Sequence, residues 1–405
     1  MNYVIFDDKY RENFFPITLT RSTADLRSGI LKLKQKLQGY FGMNNYSLIL
    51  HKDIEKLYKQ KFPKKEINKL KNGTTVFINS RLKVDEETVK VIDDLPENTA
   101  IQKENTILAA KLEVNAREVT SENLQELFNN LEKQKNTDLD TWKYLWELIN
   151  ENGKMIEKDF RDFIYHEDNH YDLDVGVTAL NPYDIWVGQK AEVRPGVVLN
   201  ASEGPIVIDD EAIIMSNSVI IGPAYIGKKS KIKALSKIYK ATSVGPVCKI
   251  GGEVEETIFQ AYTNKQHDGF LGHSYLGEWI NLGADTNNSD LKNNYTNVDI
   301  YFYPKKRKIN SNCQFLGCII GDHSKTAINM SINTGTIIGV GANIFGKELI
   351  KDFVPSFTWG HSSNKEKYIV EKFFETADKV KKRRGLKILE YEKELYSQIS
   401  NYDLV

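Results

Sequence analysis

The sequence predicts an α/β domain, then a parallel β-helix, then a short helical tail. Three observations carry that prediction. Short apolar runs alternate with amphipathic stretches up to about residue 170. From Val187 onward an aliphatic residue returns every six positions. Past about residue 350 the pattern turns helical. At 405 residues the chain is too long for one ordinary core. The expected domains are 1–170, 171–350 and 351–405.

In the first region Tyr3-Val4-Ile5-Phe6 reads as a buried strand. Ala24 to Tyr40 places Leu26, Ile30, Leu33 and Leu37 on one helical face. Ser47 to Leu50 reads as a second strand, and Ile54 to Tyr58 begins a short helix. Thr74 to Ile78 is a third strand, and Asn123–Leu131 and Trp142–Ile149 are helical. Strand and helix in alternation predict a mainly parallel sheet.

In the second region Val187, Val193 and Leu199 form one run, and the phase resumes at Ile208. It then holds through Ile214, Ile220, Ile226, Ile232, Ile238, Val244 and Ile250. Neither a helix nor an ordinary sheet gives a strict period of six, whereas a parallel β-helix does. Small residues two before many of these rungs, such as Ala212, Ser218 and Ser230, suit a tight corner. The pattern returns at Leu271, Leu276 and Leu282, then at Ile320, Ile332, Ile338 and Ile344, with Thr326 on a non-aliphatic rung. Between them lies a long interruption, Ala284 to Cys313, with the basic run Lys305-Lys306-Arg307-Lys308. Long excursions from a rigid solenoid are usually functional loops. In the third region Asn364–Arg384 and Leu386–Ile399 read as helices, and Lys381 to Arg384 suits a helix C-terminus.

Lys+Arg and Asp+Glu are 55 each, so no general positive field exists to attract nucleic acid or an anionic membrane. No apolar run approaches the roughly 20 residues of a membrane span. The opening MNYVIFDD lacks the features of a secretory signal. Three cysteines form neither a disulfide framework nor a zinc pattern, so a reducing, cytoplasmic setting is expected.

The hexapeptide array resembles the left-handed β-helix of the acyltransferase superfamily. Within it, HDGFLGHSYLGEWINLGADT resembles the C-terminal half of the bifunctional bacterial N-acetylglucosamine-1-phosphate uridylyltransferase/glucosamine-1-phosphate acetyltransferase family. That family has a His before Tyr-Leu-Gly, then rungs five and six residues apart. Here His267 precedes Phe270-Leu271-Gly272, and Leu271, Leu276 and Leu282 keep the spacing. The resemblance implies acetyl-CoA as co-substrate, His267 as general base and Asn281 as a substrate contact. It departs at Phe270, which lacks the family's hydroxyl, and at Asp290-Leu291, where the family has Asn-Tyr; Asn294-Tyr295 follows four residues on. His273 and His323 read as corner residues, and without nearby paired ligands they make no metal site.

The first region resembles the sugar nucleotidyltransferase domain that precedes such β-helices. After the Tyr3–Phe6 strand come Arg11, Phe15-Pro16-Ile17-Thr18, Thr20-Arg21-Ser22 and Leu26-Arg27-Ser28-Gly29, in the family's order but without its phosphate-loop glycines. Arg11, Arg21 and Arg27 would then carry the phosphate charge, unless they are ordinary surface ion pairs. The family's Mg²⁺-binding Asp after a central strand is replaced by Asn79-Ser80-Arg81, which leaves Asp7 and Asp8 as metal candidates. The expectation is thus a two-domain nucleotide-sugar transferase taking an NTP and a sugar-1-phosphate or nucleotide sugar, assembled as a homotrimer. The alternatives are an acetyl-CoA-dependent sugar acyltransferase only, or a non-catalytic trimeric nucleotide-sugar-binding scaffold.

Overall fold

The computed structural model describes residues 1–135, 138–165, 169, 171–360 and 366–402. The chain divides into two compact units. One is Met1–Leu26, Leu31–Tyr144 and Leu389–Leu395; the other is Arg27–Ile30, Leu145–Ile388 and Tyr396–Val405.

The first unit is built on β1 (Asn2–Phe6), β2 (Ser47–Ile49), β3 (Lys69–Leu70), β4 (Gly73–Asn79), β5 (Thr99–Lys103), β6 (Thr106–Val114), β7 (Arg117–Glu118) and β8 (Glu132–Lys135). The main sheet has the order β2-β1-β4-β6-β5-β8, and β3 pairs with β7 separately. β1 pairs parallel with β2 and β4, and β5 parallel with β8. Among the described residues β6 alone opposes its sheet neighbours, so the sheet is mainly parallel as expected. Val4, Phe6, Ile49, Phe77, Ala110 and Phe128 share its core. Helices α1 (Leu33–Tyr40), α2 (Lys52–Lys61), α3 (Glu86–Asp93) and α4 (Gln125–Phe128) connect the strands. Asp85 caps α3, its carboxylate accepting from the Thr88 N–H at 2.8 Å.

The expected helix from Ala24 does not start until Leu33, with only a 3₁₀ turn at Thr23–Asp25 before it. The apolar spacing is satisfied, since Leu26, Ile30, Leu33 and Leu37 are all buried. Other partners take the backbone donors instead. The Gly29 N–H donates to Asn152 Oδ1 at 2.6 Å and the Ile30 N–H to Asp159 Oδ2 at 2.9 Å. Gly29 sits at φ +76°, a left-handed conformation that interrupts a helix.

The second unit opens with α5 (Leu145–Asn150) and α6 (Asn152–Phe163) and continues as a left-handed β-helix of about 10 turns. Three parallel ladders form its faces. Ile208 stacks on Ile226 and then Val244; Ile214 on Ile232 and Ile250; Ile220 on Ile238 and Val254. Each of these is 0% exposed, which confirms the period-six rungs as the core. Burying one such side chain contributes about 1.5–3 kcal/mol. At successive corners Glu211, Asn217, Lys229, Leu235, Ala241 and Val247 take positive φ, between 53° and 63°. The small residue after each is buried, and Ser230 has a second reason beyond space. Ser230 Oγ donates to Gly245 O at 2.8 Å and accepts from the Cys248 N–H at 2.9 Å, tying one turn to the next.

The phase slips after Ile250 because the turns shorten. Val244 pairs with Phe259 and Ile250 with Lys265. Lys265 therefore fills an inward rung, 2% exposed, and its ammonium donates to Gly251 O and His267 O at 2.9 and 3.0 Å. Burial lowers its pKa to about 8. The interruption starts later than Ala284, since Asn287–Asn288 still pairs with Ser331–Ile332. The chain then leaves at Asp290 and projects a hairpin, Asp299–Phe302 against Arg307–Asn310. It returns where Leu316 N–H donates to Asp290 O at 2.8 Å. Helices α7 (Val370–Lys382) and α8 (Glu390–Ile399) close the chain. The first residues of the expected Asn364–Arg384 helix lie outside the described residues. Among those described, no helix is long and apolar enough to cross a membrane.

Candidate functional site

In the first unit the carboxyl end of β1 and the turn between β5 and β6 open on a cavity of about 540 Å³. Ligands of open α/β sheets gather at such strand ends. Asp7, Asp8 and Arg11 line it, together with Lys9, His51 and Gln102. Asp7 accepts from the Ser22 and Ser80 hydroxyls at 2.9 Å each, and from Thr23. Its burial pushes the carboxyl above its usual range. Arg11 donates to Thr18 O at 2.8 Å. Arg21 is buried away from the cavity wall, 3.4 Å from the Thr20 hydroxyl. Arg27 belongs to the second unit. There its backbone N–H donates to Tyr275 Oη at 2.9 Å and its guanidinium lies 5.3 Å from the Tyr225 ring. Of the three arginines named from sequence, the structure brings only Arg11 together with Asp7 and Asp8.

Asp8 is already neutralised. The Arg81 Nε donates to Oδ1 at 3.0 Å, Arg81 Nη2 pairs with Oδ2, and Asn79 Nδ2 donates to Oδ2 at 2.9 Å. Asp7 retains one buried oxygen, Oδ2, without a hydrogen-bond partner. One enclosed oxygen beside a carboxylate occupied by a guanidinium does not fit a Mg²⁺ site, which wants several accessible oxygens. In the sequence Asn79 and Arg81 read only as the loss of a metal ligand; their shared partner Asp8, just past β1, is distant in the chain and leaves no signal there.

In the second unit His267 is exposed beside an open cleft of about 550 Å³, with Met215, Lys233, Gln266, Asp268 and Asp285. Its carbonyl is held by Lys265. Asn281 lines a neighbouring cleft of about 260 Å³. Gln266 borders both clefts. The two residues expected to share one cleft thus stand on adjoining ones.

His273 occupies a corner, at φ 44°, as expected. The carboxylates that sequence did not place beside it are present. Its Nε2 lies 3.0 Å from Glu256 Oε2 and its Nδ1 2.8 Å from Asp290 Oδ2. Burial disfavours the charge, but hydrogen bonds to Asp290 and Glu256 outweigh it and raise the pKa to about 9. Glu255, His273 and Asp290 are the one group of potential metal ligands among the described residues. An imidazolium whose nitrogens both face carboxylates is not a metal ligand, so the cluster is an ion-pair network.

Residues 3–166 match the family model for sugar nucleotidyl transferases. The chain is 26% identical over 200 residues to the bifunctional protein GlmU of Synechococcus elongatus, covering 44% of this chain and 40% of that protein. It is 34% identical over 145 residues to the bifunctional sugar-1-phosphate nucleotidylyltransferase/acetyltransferase of Sulfurisphaera tokodaii, covering 35% of this chain and 36% of that protein. The matches therefore span less than half the length of these curated relatives. Among solved structures, the UDP-N-acetylglucosamine acyltransferase of Campylobacter jejuni overlaps 56% of this chain and 82% of that one, at 10% identity and a TM-score of 0.31. The β-helix itself rests on the stacked rungs, not on that likeness. Residues 3–166 thus match a sugar nucleotidyl transferase model, a β-helix follows in the same chain, and part of the sequence is similar to proteins named bifunctional GlmU.

Proposed function

We propose that the chain is a transferase of nucleotide-sugar synthesis, joining sugar-1-phosphate nucleotidyl transfer in the first unit to acetyl transfer on the β-helix. One observation supports this above others: the cavity holding Arg11 opens at the strand ends of the region that matches the sugar nucleotidyl transferase model. In the first reaction a sugar-1-phosphate oxygen attacks the α-phosphorus of an NTP, and pyrophosphate leaves as its bridging P–O bond breaks. Arg11 and Lys9 on the wall supply positive charge to the phosphates. Any Mg²⁺ in this scheme would belong to the nucleotide substrate, since Asp7 and Asp8 do not fit it.

In the second reaction an acceptor amine or hydroxyl attacks the acetyl-CoA thioester. His267 takes the acceptor's proton, the C–S bond breaks, and the thiolate of coenzyme A leaves and is protonated. Asn281 would contact substrate from the adjoining cleft. The assembly is proposed as a cytoplasmic homotrimer, since closed cyclic symmetry lets neighbouring copies complete acyl sites; sedimentation as a monomer at micromolar concentration refutes that part.

A second possibility has specific support: Asp8 is closed off by Arg81, which favours a first unit that holds a nucleotide or nucleotide sugar without turning it over. The deciding experiment incubates the purified chain with each NTP and several sugar-1-phosphates, then with acetyl-CoA and several sugar phosphates. Pyrophosphate release supports nucleotidyl transfer, and free thiol supports acetyl transfer. Release of neither by any pair overturns the transferase proposal in favour of a binding scaffold.

A further inference from the structure

From Lys231 to Lys325 one outward ladder of the solenoid is basic or neutral, and the acidic Glu192 stands in the same row two turns before Lys231. Lys231 pairs with Lys249, Lys249 with Asn264, Asn264 with Asn281, and Asn281 with Lys325. Their neighbours Ile232, Ile250, Lys265, Leu282 and Thr326 are buried, so this row faces outward by the two-residue alternation of a strand. Arg383 and Arg384, just past α7, meet the row and enclose the cleft of about 260 Å³ that also holds Asn281. A corner column fixes its side. Tyr262 stacks on Trp279 at 4.2 Å and 9°, and Trp279 on His323 at 5.9 Å and 16°.

Four cations, Lys249, Lys325, Arg383 and Arg384, line this cleft, and no carboxylate does. Among the described residues none of the four forms an ion pair. Arg384 donates to Asn264 Oδ1 at 3.3 Å and Lys325 to His323 O at 2.8 Å. Such crowding is unfavourable without a counter-charge. Lys249 registers it, lowered first by burial and then by Arg384, Lys231 and Arg383, whereas burial alone lowers Lys325 to about 8. We propose that this cleft binds a phosphate-bearing anion, with Lys249, Lys325, Arg383 and Arg384 as its ligands. Its volume falls below that of sites enclosing a whole drug-sized ligand, so an anionic end enters and any remainder stays outside. The ring faces of Trp279 are occupied by Tyr262 and His323, so charge and not base stacking provides recognition.

Two sources carry this chemistry: a free diphosphate, or the phosphates of a nucleotide whose remainder runs past Gln266 toward His267. The second source rests on the acetyl-transfer proposal; the anion site does not. The test is calorimetry in an Arg11→Ala background, which weakens competition from the first unit, using pyrophosphate and adenosine 3′,5′-bisphosphate as probes. At least one probe should bind, more weakly as salt rises. Lys249→Gln with Arg384→Gln should weaken it at least tenfold. Lys305→Gln with Lys306→Gln, on the hairpin, should leave it unchanged. Pyrophosphate alone binding identifies free diphosphate as the source, and bisphosphate alone a nucleotide. Should the double glutamine variant unfold, Lys249→Arg with Arg384→Lys keeps the charges and should keep binding. No binding of either probe below about 10 mM, or equal binding in the glutamine variant, overturns the site.

Discussion

Arg81 grips Asp8 with a guanidinium fork, Nε at 3.0 Å from Oδ1 and the terminal nitrogen on Oδ2, across the ends of two neighbouring strands. Arg81 is 2% exposed and Asp8 16%. The same guanidinium donates to Thr141 Oγ1 and Trp142 O, so it also fastens the chain that leaves the first unit. Removing one partner of a buried pair strands the other charge, whereas replacing both with apolar groups often costs little. Asp8→Ala should therefore lower stability by about 3 kcal/mol, and Asp8→Ala with Arg81→Met by less than either single change. Urea unfolding measures this. A single-variant cost under about 0.5 kcal/mol would show the fork to be a bystander.

His273 should make stability depend on alkaline pH. Its folded pKa of about 9 lies above the usual value of 6.5, so the bound proton favours the folded state. That contribution is fully present below about pH 6.5 and is lost as pH rises through about 9, on the order of 3 kcal/mol end to end. Asp290 opens the long excursion and Phe315, stacked 5.1 Å from the His273 ring, closes it, so the loss should appear first at the neck of that loop. Denaturant curves for parent and His273→Gln at pH 6, 8 and 10 check the sign. A parent-minus-variant difference that stays flat, or grows with pH, refutes it.

Arg11 and Arg27 should separate cleanly. Arg11→Ala should weaken UTP binding about tenfold, the usual scale for one charge-assisted hydrogen bond. Arg27→Ala should leave UTP affinity unchanged, because its guanidinium is spent on Tyr225 and on the Ile30 carbonyl. Calorimetry of the two variants decides, and the opposite ranking would return Arg27 to the nucleotide site.

The period of six made the β-helix legible because one requirement, an aliphatic side chain at each inward rung, repeats without exception from Ile208 to Ile250. The α/β alternation made the mainly parallel sheet legible for the same kind of reason. Sites were less legible because they depend on contacts distant in sequence. Arg27 looked like part of an N-terminal arginine cluster, but Gly29 and the side chains of Asn152 and Asp159 hold its segment in the other unit. Lys265 carries no apolar signal, yet it fills a rung by donating to two carbonyls. His273 looked like a plain corner because Glu256 and Asp290 reach it from other turns.

The last prediction joins Lys265 to His267. A general base must be held within hydrogen-bond reach of the proton it removes, and it then contributes about 10² to 10⁴-fold. His267 is exposed in its cleft, and the Lys265 ammonium anchors its backbone, 3.0 Å from its carbonyl oxygen. His267→Ala should reduce acetyl transfer by at least 10²-fold and leave unfolding midpoint and oligomeric state unchanged. Lys265→Met should act differently. It keeps an apolar rung but leaves the Gly251 and His267 carbonyls without their donor, so it should lower both stability and transfer, each modestly. The pH profile distinguishes the roles: a general base makes transfer rise with pH, a dependence that His267→Ala should abolish and Lys265→Met should retain. If His267→Ala transfers acetyl groups at the parent's rate with the same pH profile, the imidazole takes no proton in the reaction.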